Sequence, residues 1–165
     1  MGKKYSIAKE DKIELNGHTL YRIKAERDID EITKKGKLGG YIESEENLSQ
    51  EDDSSFVYGN AKVYGDSRLL GDAMASDNAQ VKNIVADNAY FSENCIVCSD
   101  SPFFVFGEVD FGGNARVHFK HGEKFEFVGG SSFGGDVVAF IDEDGYIDVS
   151  TSDIQNDLFN FYCEE

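Results

Sequence analysis

The sequence predicts an all-β fold: a left-handed parallel β-helix (a hexapeptide solenoid), with a β cap at its amino end and a hairpin plus a short helix at its carboxyl end. Three observations predict it: a six-residue repeat, Gly, Asn and Asp at fixed places in that repeat, and hairpin-turn signals on both sides of it. The same pattern divides the chain into an N-terminal β cap with the first part of the coil at 1–56, the β-helix at 57–119, and an acidic C-terminal cap at 120–165.

The repeat begins with Val57-Tyr-Gly-Asn-Ala61 and returns as Val63-Tyr-Gly-Asp-Ser67. A period of six fits neither an amphipathic helix nor an alternating strand, whereas three such units close one triangular coil of about 18 residues. The aliphatic residue points into the coil, and Gly and Asn suit the left-handed backbone of the corners. This coil length predicts three stacked pairs: Val57 on Ala75, Val63 on Val81, and Asn60 on Asn78.

Two slips in phase interrupt the repeat after residue 81 and after residue 101. We expect the first to be a bulged corner at 82–84, because the next hexad begins four residues after Val81 instead of six. We expect the second, which contains the single proline, Pro102, to be a protruding loop at 101–104.

Both ends of a solenoid need caps, because a terminal coil cannot bury its own face. The dipeptides Asn16-Gly17 and Asp144-Gly145 lie between β-rich runs and predict hairpins. Residues 41–42 are expected to enter the coil as a strand, and the acidic stretch 43–53 to be a solvated loop. Ser152 or Asp153 is expected to begin a short helix that covers the open end of the coil or offers a docking surface.

The charge of the chain is its most extreme property. It carries 16 basic and 32 acidic side chains, a net charge of −16, and residues 102–165 alone hold 3 basic and 13 acidic residues. This balance disfavours direct binding to nucleic acid, which depends on Lys and Arg displacing counterions, and it favours a basic protein partner. The alternative is that the acidity only keeps the protein soluble.

If the acidic region binds a partner, the carboxylates of the carboxyl third are the expected contacts. They are Asp136, Asp142, Glu143, Asp144, Asp148, Asp153 and Asp157. Tyr58 and Tyr64 stand at outward positions of the repeat, where they would add aromatic contacts or else pack against a cap.

The sequence offers little for catalysis or for a cofactor. Of the three histidines, His118 and His121 fall just past the clear repeats, and a satisfied or surface role is expected for both. Cys95 and Cys98 form a Cys-x-x-Cys without the second pair that a zinc site needs, and the register puts them on different sides of a strand. No phosphate-binding glycine motif is present, so we expect no metal, no cofactor and no enzyme activity.

The odd number of cysteines argues against a disulfide scaffold and favours a reducing cytosol. The sequence contains no run of 18 apolar residues, so it predicts no membrane helix. The start of the chain lacks the apolar stretch of a secretory signal. We therefore expect a cytoplasmic protein.

The segment Lys37-Leu-Gly-Gly-Tyr-Ile-Glu43, followed by Asn47-Leu-Ser49 and the Val-Tyr-Gly-Asn-Ala units, resembles a family of phage and prophage proteins. The resemblance covers about residues 13–101, implies a β-helix, and leaves the function open. The carboxyl third departs from the family pattern.

Three functions fit these observations. The first is an inhibitory protein of phage origin, an acidic nucleic-acid mimic that acts in the host cytoplasm on a basic effector such as a CRISPR nuclease. The second is a structural or assembly module that forms homo-oligomers. The third is a hexapeptide acyltransferase, which would use His118 or His121 as its base.

Overall fold

The computed structural model describes residues 2–120, 122–127, 130–142, 144–145 and 147–150. These residues are nearly all β and form a β-solenoid of about five turns. The strands are β1 Tyr5–Leu15, β2 His18–Ala25, β3 Leu38–Ile42, β4 Phe56–Val57, β5 Lys62–Tyr64, β6 Arg68–Leu70, β7 Met74–Ala75, β8 Gln80–Asp87, β9 Ala89–Phe91, β10 Ile96–Phe106, β11 Val109–Phe111, β12 Arg116–Phe119, β13 Lys124–Glu126, β14 Ser131–Phe133, β15 Val138–Ile141 and β16 Ile147–Ser150. A single 3₁₀ turn occupies Glu45–Asn47 among these residues.

The strands form two sheets that enclose a triangular interior. The larger sheet has eleven strands in the order β1-β2-β3-β5-β8-β10-β12-β15-β16, with β6 paired to β8 and β13 paired to β10. Because β8 pairs with β5 through its first half and with β6 through its second, this sheet turns a corner and covers two sides of the coil. The smaller sheet, β14-β11-β9-β7-β4, covers the third side.

The predicted stacking is confirmed for the first two strand pairs. Val57 pairs with Ala75, and Val63 pairs with Val81. The coil length then varies: Ala75 pairs with Phe91, 16 residues on, Phe91 with Phe111, 20 residues on, and Phe111 with Phe133, 22 residues on.

Larger side chains fill the longer coils. Phe91, Phe111 and Phe133 form a continuous stack, with ring centroids 5.2 and 5.4 Å apart, in the place that Val57 and Ala75 hold in the first coils. Aromatic rings therefore occupy the extra interior space that small aliphatic residues would leave empty, as close packing demands.

The two phase slips have different structures. At 82–84 the corner is short, a single residue, Asn83 with φ of 59°, and its Nδ2 donates to the carbonyl of Ser99 at 2.9 Å. The protruding loop predicted at 101–104 is wrong, because Phe103 is buried and Phe104 pairs with Val85. The extra residues lie at 99–102, between the paired residues Cys98 and Phe103.

The amino-terminal cap is the predicted hairpin. Strands β1 and β2 pair antiparallel around Asn16 and Gly17, whose φ angles are 49° and 81°. Residues 41–42 enter the coil as predicted, through β3. The solvated loop predicted at 43–53 is wrong in its middle, since Leu48 is buried and bridges to Leu69, so this stretch belongs to the first coil.

Two glycines let the cap lie directly on the coil. A Cβ on Gly39 would lie 2.5 Å from the carbonyl oxygen of Val57, and a Cβ on Gly40 would lie 2.5 Å from that of Ala61. Real Cβ atoms do not approach backbone this closely, so any side chain at these positions would push β3 off the coil. This contact is the physical reason for the Leu-Gly-Gly motif.

The parallel ladders continue past residue 119, through β13, β14 and β15, so these three strands form the last turn of the coil. The predicted hairpin around Asp144-Gly145 is confirmed by the antiparallel pair β15 and β16. The helix expected from Ser152 or Asp153 onward lies outside the described residues. The left hand of the coil stays a prediction. No helix among the described residues is long and apolar enough to span a membrane.

Candidate partner-binding surface

Basic residues are unevenly distributed along the coil. Residues 57–136 contain six Lys and Arg, and all six lie on or next to strands of the eleven-stranded sheet: Lys62, Arg68, Lys82, Arg116, Lys120 and Lys124. The stretches that form the smaller sheet and its two corners, 71–79, 87–95, 107–115 and 130–136, contain none.

The same side carries an array of acidic residues, which we name the acidic face. It comprises the outer surface of the five-stranded sheet and the two corners beside it. Its seven carboxylates, all exposed, are Asp72, Asp77, Asp87, Glu93, Glu108, Asp110 and Asp136. None of the seven forms an ion pair with a described residue, so their charges face solvent uncompensated.

The corners fix these carboxylates in rows. Asp77 and Glu93 occupy equivalent corners of successive coils, both with φ of 57°, and the Glu93 N–H donates to Asp77 Oδ2 at 3.1 Å. The Gly113 N–H donates in turn to Glu93 Oε2. Backbone hydrogen bonds from the next coil therefore hold the carboxylates of Asp77 and Glu93 in one row.

An amide ladder runs beside this row. The Nδ2 atom of Asn78 donates to Asn94 at 3.2 Å, Asn94 donates to Asn114 at 3.2 Å, and Asn114 donates to Asp136 Oδ1 at 2.9 Å. The predicted partner Asn60 joins the same corner through its N–H, which donates to the carbonyl of Asp77 at 2.8 Å. The ladder ties Asp136 to the face.

The spacing of the charges follows from strand geometry. Strands stack about 4.8 Å apart, so five strands span about 19 Å, and five residues of chain separate the two rows by about 15 Å. A B-DNA duplex carries about 11 charges in 19 Å of its axis, at one per about 1.7 Å. Seven carboxylates in that length reach the same order of linear charge density.

Less polar groups lie between the two rows. Met74 and Tyr90 project outward from β7 and β9, half-buried, and Asp110 follows them in register on β11. A flat sheet surface with an aromatic and a thioether at its centre and carboxylates along both edges has the layout of a protein interface, in which apolar contacts are surrounded by charge.

The structure places the seven predicted carboxylates unevenly. Asp136 lies on the acidic face, whereas Asp142 and Asp144 lie at the turn of the β15–β16 hairpin, where the Asp144 N–H donates to Asp142 Oδ1 at 3.0 Å. Asp148 lies in β16 opposite Phe140. The remaining predicted residues, Glu143, Asp153 and Asp157, lie outside the described residues.

The two predicted tyrosines pack against the cap. Tyr64 points away from the coil interior, but it is 2% exposed and makes an edge contact with His18 of the hairpin, so the expectation that its ring is exposed is wrong. Tyr58 is half-buried and its hydroxyl donates to Asp30 Oδ2 at 2.8 Å. Burial, with the nearby Asp30 carboxylate, raises the pKa of Tyr58. Both tyrosines therefore pack against the cap, which was the alternative to aromatic contacts with a partner.

Six carboxylates of the acidic face were missed by sequence reasoning, which followed charge density along the chain. The coil period is the sequence feature that would have identified these six carboxylates. Aligning the repeats by their corners puts Asp77-Asn78, Glu93-Asn94 and Gly113-Asn114 in one column, and the absence of Lys and Arg from every third hexad then becomes visible.

The described residues offer no developed catalytic centre. His118 is fully buried, with Nε2 3.3 Å from Asp100 Oδ1, rather than open to a cleft; His121 lies outside the described residues. No group of three or more His, Cys, Asp and Glu in the described part of the chain is arranged to hold a metal ion.

The two cysteines lie on different sides of β10, as the register predicts. Cys95 faces the coil interior as a free thiol, and burial raises its pKa to about 12, while Cys98 packs outside with Val138 and Phe140.

The fold and the surface define the protein as a capped β-solenoid with one acidic face. Comparison of the chain with protein-family models, curated proteins and solved structures finds no match.

Proposed function

We propose that the protein is a non-enzymatic inhibitor that presents its acidic face to a basic nucleic-acid-binding protein and occupies the groove meant for the nucleic acid. The observation that carries this proposal is that the stretches 71–79, 87–95, 107–115 and 130–136, which form the five-stranded sheet and its corners after the first coil, contain no Lys or Arg and present seven exposed carboxylates. A charge that served solubility alone would not require this segregation of the basic residues.

The geometry supports mimicry over a general acidic surface. Two rows of carboxylates about 15 Å apart, with strands repeating every about 4.8 Å, offer negative charge along two nearly parallel lines. A nucleic-acid groove offers phosphates along two strands, across a major groove about 12 Å wide. Backbone hydrogen bonds hold the carboxylates of Asp77 and Glu93, so these two side chains lose less freedom on binding.

The resemblance to phage proteins and the chemistry of the face together favour a partner among host defence enzymes in the host cytoplasm. RNA-guided nucleases, including CRISPR effectors, hold their heteroduplex in a positively charged channel. Such a channel is complementary to this face in sign and in shape.

The test is release of DNA from purified basic nucleic-acid-binding proteins, with a CRISPR nuclease among them, followed by fluorescence anisotropy of a labelled duplex. The informative variant is Glu108→Lys with Asp110→Lys, because neither side chain makes a hydrogen bond to a described residue and both are exposed. We expect this variant to lose at least tenfold in inhibition.

The matched control is Asp66→Lys with Glu123→Lys, which makes the same change in net charge on the other sides of the coil, also at exposed positions. We expect it to stay within about threefold of the parent, since distant charges are screened beyond about 10 Å. Equal losses for both variants, or no release of DNA from any protein tested, would overturn the proposal.

A further inference from the structure

An aromatic pair, Phe104 and Phe106, is exposed on the side of the coil next to the acidic face. Their side chains are 43% and 38% exposed, and their rings stack with centroids 5.8 Å apart at 11°. They belong to β10, whose intervening residue Val105 is buried in the core. Exposed Phe rings on a rigid sheet are a contact surface rather than part of the core.

The neighbours of Phe106 are carboxylates. Phe106 pairs with Glu126 on β13, and the register of β10 with β8 places Asp87 beside it on the other side. Neighbouring strands lie about 4.8 Å apart. Both carboxylates are exposed, and neither forms an ion pair with a described residue. Phe106 therefore lies in negatively charged surroundings, with Glu126 on the next strand and the Asp87 carboxylate turned toward Gly71 of the preceding coil.

The surroundings of Phe104 are different. It pairs with Val85 on β8 and with Lys124 on β13. Lys124 would repel a cation at this ring, whereas Val85 extends the apolar surface.

We propose that Phe106, Asp87 and Glu126 form a docking site for an arginine side chain of the partner. A guanidinium is planar, stacks on an aromatic face, and directs its N–H groups outward in its own plane. Lying on Phe106, it comes within reach of the carboxylate of Glu126 on the next strand, while the charge of Asp87 on the other side adds to the attraction. An ammonium is compact and cannot stack in this way, so the site discriminates arginine from lysine.

This inference rests on the proposed function for the identity of the partner, and it names the contact that fixes the position of that partner. Asp87 also belongs to the acidic face, so the docking site is continuous with it. The partner segment is expected to be basic and extended, with an arginine over Phe106 and an apolar side chain over Phe104 and Val85.

The experiment compares octa-arginine with octa-lysine, which carry equal charge. Because the chain contains no tryptophan, Phe106→Trp introduces a single fluorophore at the site. We expect its emission to change on titration with octa-arginine, with an affinity at least fivefold higher than for octa-lysine. Phe106→Ala should reduce that preference, measured by calorimetry, to about one while leaving octa-lysine binding within twofold.

Tyr90→Ala is the matched control, since it removes a ring from the acidic face and should keep the arginine preference. A Phe106→Ala variant that keeps the preference, or equal affinities for both peptides in the parent, would overturn the docking site. If either result occurs while the double variant Glu108→Lys with Asp110→Lys loses the ability to release DNA from the partner, the docking site is wrong and the proposed function stands. The reverse pattern removes the proposed function and keeps the docking site.

Discussion

Lys4 and Asp53 join the first strand of the cap to the first coil: Nζ of Lys4 lies 2.6 Å from Oδ1 of Asp53, and the lysine is fully buried. Ser55 Oγ lies 3.0 Å from the same Nζ. Burial lowers the pKa of Lys4, against the opposing effect of Asp53. The Asp53 carboxylate therefore offsets the desolvation of the Lys4 charge at the boundary between cap and coil.

Asp53→Asn should destabilise the protein by about 3–5 kcal/mol, because it leaves the buried Lys4 charge without its counter-ion. Urea denaturation measures this loss, and the double change with Lys4→Met should recover most of it. The control is Lys3→Met, which breaks an exposed pair with Glu45 and should cost less than about 1 kcal/mol. Equal losses at the two sites would contradict the assignment.

Acid should weaken the same contact. Partial burial acts to raise the pKa of Asp53, but hydrogen bonds from Lys4 and Ser55 outweigh it and lower the pKa to about 2. A carboxyl whose folded pKa is lowered contributes stability above its unfolded pKa of about 4 and loses it as the pH falls toward 2. The stability lost between pH 4 and 2 should be smaller in Asp53→Asn than in the parent.

Gly40→Ala should destabilise the cap by about 1–3 kcal/mol, the usual cost of forcing extra atoms into a packed site. The added Cβ would lie 2.5 Å from the carbonyl oxygen of Ala61 and 2.7 Å from Val57 Cγ1. Gly134→Ala is the control, since nothing lies within 4 Å of its Cβ position. Thermal unfolding measures the melting temperatures of the two variants. Similar values for Gly40→Ala and Gly134→Ala would contradict the close contact at Gly40.

Phe111→Ala should cost about 3–5 kcal/mol, because this buried ring stacks on Phe91 and on Phe133 at once. The loss is measured by denaturant unfolding. Ser132→Ala, an exposed position on the next strand, provides the reference and should change stability by less than about 0.5 kcal/mol. A small effect at Phe111 would mean that the wide coils are loosely filled.

Salt should stabilise the protein. The acidic face holds carboxylates on strands about 4.8 Å apart, and raising the ionic strength from about 0.01 M to about 1 M shortens the Debye length from about 30 Å to about 3 Å. The melting temperature should therefore rise with NaCl. Asp110→Asn should reduce this rise, whereas Asp66→Asn, on a side that also holds Arg68, should leave it nearly intact. A melting temperature independent of salt would argue against repulsion across the face.

The sequence predicts those parts of the fold that local periodicity determines. The stacking of Val57 on Ala75 follows from three hexads per coil, and the hairpin at Asn16-Gly17 follows from turn chemistry. Coil length beyond Ala75 was not predictable in this way, because the size of each coil depends on which rings, such as those of Phe111 and Phe133, meet inside it.

The site was only partly predictable, for a related reason. Exposure of Tyr64 depends on where the hairpin β1–β2 folds back, which is a long-range contact and leaves no local signal. Asp136 was included because it lies in an acidic stretch, yet its neighbours on the face, such as Glu93 and Asp77, come from other stretches. Charge along a chain predicts net charge, whereas charge across a coil requires the register.

The placement of the Lys and Arg of residues 57–136 on or next to strands of the eleven-stranded sheet gives the molecular dipole a component perpendicular to the coil axis, with its negative end at the five-stranded sheet. In the field of a distant cation-rich surface, such a dipole experiences a torque as well as an attraction. The protein would then rotate into its productive orientation during approach, and encounters would succeed more often than random collisions allow.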